Sequence, residues 1–124
     1  MMKMKLELVP VPVSDVDVAI DFYVNKVGFT LDHDHRVNES LRFVQLTPEG
    51  SACSIVIGEG ITEMKPGSQQ GLQMVVEDTR AIYEMLRQNG VDATEVEEMP
   101  WGIFTRFNDP DGNTWAVQQI VGKS

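Results

Sequence analysis

The amino-acid sequence predicts an α+β fold in which two tandem βαβββ modules form mixed sheets around a cleft. Two helical segments of similar pattern, beginning near Asp15 and Asp78, lead to this prediction. Each segment follows a short apolar run and precedes three strand-like runs, and a Gly-rich polar stretch at 58–71 separates the halves. The 124 residues are expected to form a single domain, with the first module at 4–60 and the second at 68–122.

The two helices are indicated by apolar residues spaced i, i+1, i+4 and i+5, which form one stripe of an amphipathic helix. The stripe comprises Val18, Ala19, Phe22 and Tyr23 in the first half and Ala81, Ile82, Met85 and Leu86 in the second. Asp15, with Ser14 beside it, and Asp78 are suited to cap the helix N-termini, because their side-chain oxygens accept from free backbone N–H groups. Gly28 and Gly90 stand where each helix is expected to end in a left-handed residue.

Strands are expected on both sides of each helix. In chain order they are 6–13, 29–36, 41–47 and 52–58, and then 72–76, 92–98, 103–108 and 114–121. Pro10 and Pro12 remove two ladder donors, so the first strand is predicted to be an edge or irregular strand. The run 109–112, Asp-Pro-Asp-Gly, has proline second and glycine fourth, as a type I turn prefers.

Charge and composition narrow the classes of partner. The formal net charge is −9, from 10 Lys+Arg against 19 Asp+Glu, and such a surface repels a nucleic-acid backbone. No apolar run approaches the roughly 20 residues that span a bilayer, and the opening residues do not resemble a secretory signal. The only cysteine, Cys53, excludes an intrachain disulfide and suits a reducing compartment. We therefore expect a cytoplasmic protein without nucleic-acid or membrane partners.

Three segments together resemble a known family. They are VPVSDVDVAIDFYVNKVGF, VVEDTRAIYEMLRQNGV and FNDPDGNTWAVQQ, and the resemblance extends from about residue 6 to residue 120. The family is the vicinal oxygen chelate superfamily, which includes glyoxalases, bleomycin-resistance proteins and extradiol dioxygenases. The resemblance implies a homodimer whose clefts are built either within one chain or between two chains. It does not choose an activity, because this fold hosts many.

The resemblance also locates the usual metal-binding positions. In members that bind metal, the ligands stand at matching points of the two modules, which here are Leu8, Gly71 and Ala116. None of these side chains has a donor atom for a divalent ion, so the chain resembles a member without the usual metal site. The run DHDHR places His33 and His35 on one strand face, where two imidazoles can clamp a metal. A solvated, charged strand end is the favoured alternative.

Seven candidate ligand-binding residues can border the cleft: strand periodicity places six of them there, and the resemblance implies that the loop of Trp101 borders it. They are Trp101, Gln73, Gln118, Phe43, Gln45, Phe104 and Arg106. Trp101 can stack on a flat or apolar ligand, and Arg106 can pair with a ligand carboxylate or phosphate. Alternatively, Trp101 packs on the sheet edge, Arg106 pairs with a surface acid, and the glutamines pair with each other. Trp115 and Cys53 are expected to be buried.

The sequence leaves more than one function open. The favoured hypothesis is a metal-independent protein without cofactor that sequesters a small, aromatic or partly apolar molecule in the inter-module cleft, as the resemblance to bleomycin-resistance proteins implies. The alternative is a lyase, isomerase or dioxygenase-like enzyme of the same superfamily. It would use a divalent metal at an atypical site, or a His or Glu base. A third possibility is a structural dimer whose cleft is filled by its own side chains.

Overall fold

The computed structural model describes residues 2–121, which form two four-stranded sheets and two helices. The first half contains β1 (Leu8–Pro10), α1 (Val16–Asp21), β2 (Thr30–Asn38), β3 (Leu41–Thr47) and β4 (Ser54–Glu59). The second half contains β5 (Leu72–Val75), α2 (Thr79–Gln88), β6 (Glu97–Met99), β7 (Gly102–Asn108) and β8 (Thr114–Ile120). This order confirms the α+β class and the two βαβββ modules.

Both sheets have the same topology. Their strand orders are β1-β4-β3-β2 and β5-β8-β7-β6. The first strand of each module runs parallel to the last, and the other neighbours are antiparallel. Because β1 pairs only with β4, it is an edge strand, as Pro10 and Pro12 predicted. Among the described residues, neither helix has the length and apolar character needed to cross a membrane.

The helix boundaries follow the predicted signals. The carboxylates of Asp15 and Asp78 each accept a backbone N–H three residues later at 3.1 Å, which confirms both N-caps. The first helix continues as a π-helical segment, Phe22–Val27, because the Gly28 N–H donates to the Tyr23 carbonyl five residues back. Gly28 ends this segment with φ of +99°, in the left-handed region that favours glycine. The π-helical turn has no signal that we recognise in the sequence.

One hydrophobic core joins the two modules through their helix-covered faces. The ring of Phe22 lies 6.1 Å from that of Phe107, and the ring of Tyr23 lies 5.8 Å from that of Trp115. Trp115 is buried, as expected from its position. Side chains alternate along a strand, so each sheet has one face in this core and a second face turned away from it. We call these second faces the open faces.

A network of buried hydrogen bonds connects the end of the first helix to the second module. The Tyr23 hydroxyl donates to Asp109 Oδ2 at 2.8 Å and accepts from Trp115 Nε1 at 2.9 Å. Asn113 Nδ2 donates to the same carboxylate oxygen at 2.7 Å. Burial, followed by the charge and the hydrogen bond of Asp109, raises the pKa of Tyr23 well above its ordinary value. The Asp-Pro-Asp-Gly turn is thus part of the inter-module contact.

Three local expectations were wrong. The predicted strand 92–98 is reduced to β6, because the Arg106 N–H donates to the Thr94 hydroxyl instead of a backbone carbonyl. Val18 and Ala81, both predicted on the core stripes, are exposed, and the exposed fraction of Val18 is 49%. Cys53 is half-buried rather than buried, because it precedes β4 in an irregular segment.

Candidate functional site

The open face of the second sheet carries a chain of amide groups. Gln73 stands opposite Ala116 in the parallel pairing of β5 and β8, and its Nε2 donates to Gln118 Oε1. Gln118 Nε2 in turn donates to the Trp101 carbonyl at 3.2 Å. Strand alternation predicted that Gln73 and Gln118 share this face, and the structure also brings Trp101 beside them. The two glutamines pair with each other, which was one of the alternatives.

The approach of Gln118 to the β6–β7 turn requires the glycine that begins β7. A Cβ atom at Gly102 would lie 2.6 Å from Gln118 Nε2 and 3.0 Å from its Cγ. The missing side chain therefore leaves the space in which the Gln118 amide reaches the Trp101 carbonyl.

Phe104 and Arg106 occupy the same open face one strand farther out. Phe104 lies opposite Gln118, and Arg106 lies opposite Ala116. The Arg106 guanidinium carbon lies 5.3 Å from the centre of the Phe104 ring, and its Nη1 lies 3.5 Å from Glu97 Oε1. Arg106 thus has an acidic partner, as the surface-pairing alternative predicted.

The open face of the first sheet carries a second hydrogen-bonded chain. Gln45 Nε2 donates to Ser54 Oγ at 3.1 Å, and Ser54 Oγ lies 2.6 Å from Thr47 Oγ1. The Thr47 hydroxyl then donates to the Asp32 carboxylate. Phe43 shares the face with Gln45, while Val44 between them is fully buried in the core. Both predicted residues of this strand are therefore on the open face.

His33 and His35 stand on the same open face. His33 lies opposite Gln45 and His35 opposite Phe43, and the two rings stack with their centroids 5.8 Å apart. Both side chains are exposed, as is the rest of β2. Within residues 2–121, no group of three or more His, Cys, Asp or Glu side chains is placed to hold a metal ion.

The three positions at which the resemblance implies metal ligands carry no ligand side chain. Leu8 lies opposite Ser54, and Ala116 lies opposite Gln73, so both are on the open faces. Gly71 has φ of +74° and donates its N–H to Thr114 Oγ1. None of the three side chains offers a nitrogen, oxygen or sulfur ligand.

Among residues 2–121, the open faces are covered only in part, since Phe104 and Ser54 are buried while other side chains remain exposed. On the second sheet, Val75 is 66% exposed and Ile120 is 43% exposed, and Trp101 at the adjoining turn is 59% exposed. A groove of about 750 Å³ lies on the helix side instead, between α2 and the segment that follows α1. None of the seven predicted ligand residues lines that groove. The candidate site therefore consists of two open surfaces rather than one closed pocket.

Sequence reasoning missed three members of this site. Asp32, Thr47 and Ser54 form the polar chain that holds Gln45, yet none was singled out. Thr47 could have been found, because it lies two residues beyond Gln45 on the same strand face. Ser54 and Asp32 depend on cross-strand register and on the irregular pairing between Leu31 and His33, which strand periodicity does not encode.

Comparisons with known proteins agree on the family. Residues 5–117 match the family described as the Glyoxalase/Bleomycin resistance protein/Dioxygenase superfamily. Uncharacterized protein YetH from Bacillus subtilis (strain 168) is 33% identical over 115 residues, which cover 90% of this chain and 94% of that protein.

Two solved structures show the same architecture. TnmS3, an antibiotic binding protein from Streptomyces sp. CB03234, is 37% identical with a TM-score of 0.88, and the match covers 97% of this chain and 98% of TnmS3. A member of the same superfamily from Sphaerobacter thermophilus DSM 20745 is 33% identical with a TM-score of 0.84. That match covers 96% of this chain and 99% of the other.

Proposed function

Since this chain belongs to the Glyoxalase/Bleomycin resistance protein/Dioxygenase superfamily, we propose that it is a metal-independent binding protein that sequesters a small aromatic or partly apolar molecule on its open faces. The observation that carries the proposal is the exposed combination of Trp101, Val75 and the Gln73–Gln118 pair. These groups offer an aromatic ring, an apolar surface and directional hydrogen bonds, which small-molecule sites combine. The similarity to the antibiotic binding protein TnmS3 supports the same class of ligand.

A second copy of the chain completes the site in this proposal. One open face alone buries only one side of a flat ligand, whereas ligand sites bury most of the ligand surface. The open face of one chain would therefore stand opposite an open face of another, in a homodimer. The exposed Val75 and Ile120 support such an interface, because covering apolar side chains that share one face is favourable.

Binding is proposed to need neither metal nor cofactor. Leu8, Gly71 and Ala116 supply no ligand atom at the family's metal positions, which supports a binding role over metal-assisted catalysis. A cytoplasmic location is proposed on the single half-buried Cys53, because a lone thiol suits a reducing compartment. Fractionation of the native host tests the location.

The decisive experiment is a binding titration with metal content measured on the same preparation. Purified protein is titrated with bleomycin and with a planar anthracycline, and binding is followed by calorimetry and by the melting temperature. A ligand that binds the folded state raises the melting temperature with concentration. We expect a shift with at least one of the two drugs and no stoichiometric metal by mass spectrometry.

Matched variants locate the site. We expect Trp101→Ala to weaken drug binding about tenfold or more, because stacking on an exposed indole is lost, whereas Val18→Ala changes an exposed side chain of α1 and leaves binding unchanged. Stoichiometric Zn²⁺, Ni²⁺, Mn²⁺ or Fe²⁺ that also raises the melting temperature would contradict the metal-independent proposal. His33 and His35 would then be the candidate metal ligands.

A further inference from the structure

The chain of hydrogen bonds on the first sheet has a fixed direction. A carboxylate only accepts, so the Thr47 hydroxyl donates its single proton to Asp32. The contact of 2.6 Å between the Thr47 and Ser54 hydroxyls must then use the Ser54 proton. Ser54 Oγ accepts from Gln45 Nε2. The Gln45 amide is therefore held with its nitrogen inward, and its oxygen Oε1 is the free end of the chain.

The amide chain on the second sheet is directed in the same way. A backbone carbonyl only accepts, so the Trp101 carbonyl selects the nitrogen of Gln118. The Gln118 oxygen then faces Gln73 and accepts from its Nε2. Gln73 Oε1 is left as the free end. Among residues 2–121, neither Gln45 Oε1 nor Gln73 Oε1 accepts a hydrogen bond.

These two free oxygens bear on which hydrogen-bonding groups a ligand needs. In the free protein water can satisfy them, but a ligand that covers them displaces that water. A covered acceptor without a donor is unfavourable, so a ligand that supplies donors is preferred over an isostere that supplies none. Separately, the net charge of −9 disfavours anionic ligands.

We propose that the two relays, Asp32–Thr47–Ser54–Gln45 and Trp101–Gln118–Gln73, make the open faces selective for apolar molecules that carry hydroxyl or N–H donors, and that Asp32 is the positioning residue for Gln45. This inference rests on the proposed function and names the ligand class of the same site. Asp32 acts through the relay and requires no contact with the ligand itself.

The test uses two flat probes whose two oxygens carry protons in one compound and methyl groups in the other. They are 2,6-dihydroxynaphthalene and 2,6-dimethoxynaphthalene, and the affinity of each is measured by calorimetry. The dimethoxy compound is the more apolar, so burial alone favours it. We expect the wild-type protein to bind the dihydroxy compound at least about tenfold more tightly, which corresponds to about 1.4 kcal/mol.

Two substitutions address the relays separately. Gln73→Met removes the free oxygen at nearly constant size, and we expect the preference for the dihydroxy probe to fall about threefold or more. In Asp32→Asn the amide can donate to Thr47, which allows the relay to reverse and Gln45 to present its nitrogen outward. That variant is expected to bind the dimethoxy probe more tightly than the wild type does. A purely structural loss would weaken both probes together.

The controls are Asp21→Asn and Gln88→Met, which change the same residue types on helices. Asp21 accepts from Asn25 Nδ2 at 2.7 Å on the exposed side of the first helix, and Gln88 is the exposed last residue of α2. Both are expected to keep the wild-type preference. All four variants are compared at equal folded fraction, verified by thermal melting.

Each other outcome has a defined meaning. If the wild type binds both probes equally or prefers the dimethoxy compound, the relay inference is wrong and the proposed function stands. A wild-type preference that Asp32→Asn leaves intact overturns the positioning role of Asp32. If neither probe binds, this inference fails, and the titration with the two drugs decides the proposed function separately.

Discussion

Tyr23 connects the two modules at the scale of a single residue. It belongs to the apolar stripe that predicted the first helix, and its ring is buried against Trp115. Its hydroxyl is the only polar atom of the side chain, and it both donates to Asp109 and accepts from Trp115. This one oxygen atom therefore provides hydrogen-bond partners for two buried groups of the second module, while the Tyr23 ring packs in the core.

Replacing Tyr23 by Phe is expected to destabilise the fold. The Trp115 Nε1–H loses its acceptor and the buried Asp109 carboxylate loses a donor, which costs about 1–3 kcal/mol in the free energy of unfolding. Urea unfolding measures the change. The matched control is Tyr83→Phe, whose hydroxyl donates to the exposed Glu95, and its effect should stay within about 0.5 kcal/mol. Equal effects of the two variants would contradict the role of the buried network.

The pH dependence of the stability of Tyr23→Phe, compared with wild type, is a second test of the buried network. Burial raises the pKa of Tyr23 above the ordinary value of about 10, so above that pH the unfolded chain releases this proton while the folded chain retains it. The stabilisation by Tyr23 is complete below about pH 10 and declines as the pH rises further. The difference in stability between wild type and Tyr23→Phe should therefore narrow as the pH rises above about 10.

At this scale, the sequence predicts which residues share a face but not which residues meet. Period-two alternation correctly grouped Gln73 with Gln118 and Phe43 with Gln45. The contacts of Asp32, Thr47 and Ser54 depend on strand register, and a bulge at Asp32 brings its carboxylate to Thr47. Such a bulge is a tertiary outcome, because it depends on how β2 pairs with β3.

The secondary-structure elements divide into those with local signals and those without. The two helices were predictable because an N-cap, an apolar stripe and a terminal glycine all coincide in sequence. The strand β6 was not, because the Thr94 carbonyl accepts from the Thr105 hydroxyl and the Thr94 hydroxyl accepts from the Arg106 N–H. These side-chain bonds interrupt the ladder that the alternating sequence predicted.

The cap of α2 gives a prediction for the element as a whole. Asp78 accepts from the Ala81 N–H at 3.1 Å, and Asp78→Ala leaves that donor without its partner. We expect a loss of about 0.5–2 kcal/mol in the free energy of unfolding, measured in urea. Asp78→Ser keeps an acceptor at the same place and should recover most of the loss. A serine variant as unstable as the alanine variant would show that the carboxylate acts in another way.

The arrangement of the whole molecule was the hardest level to predict. The sequence indicated two modules but left open whether their faces form a cleft within one chain or between two. The structure places the helix-covered faces together, with Phe22 against Phe107, and turns the other faces away from this core. This choice depends on complementary packing between rings that are distant in sequence, and no local pattern encodes it.

The exposed faces lead to a prediction about assembly. We expect two copies to associate through the open faces, because Val75 and Ile120 leave apolar surface exposed there. The net charge of −9 per chain opposes that association, so raising the salt from about 0.05 M to about 0.5 M should strengthen it by screening. Sedimentation equilibrium measures the dissociation constant.

A charge placed on the open face separates this interface from others. Val75→Lys buries an unpaired ammonium group if the face is covered. We therefore expect the dissociation constant of the dimer to rise about tenfold or more. Val18→Lys introduces the same change at an exposed position of α1, outside the open faces, and should leave the constant unchanged. A monomer at every concentration would contradict the dimer, and equal effects of both lysines would place the interface elsewhere. The proposed ligand would then lie against a single sheet, where Trp101 alone could cover it.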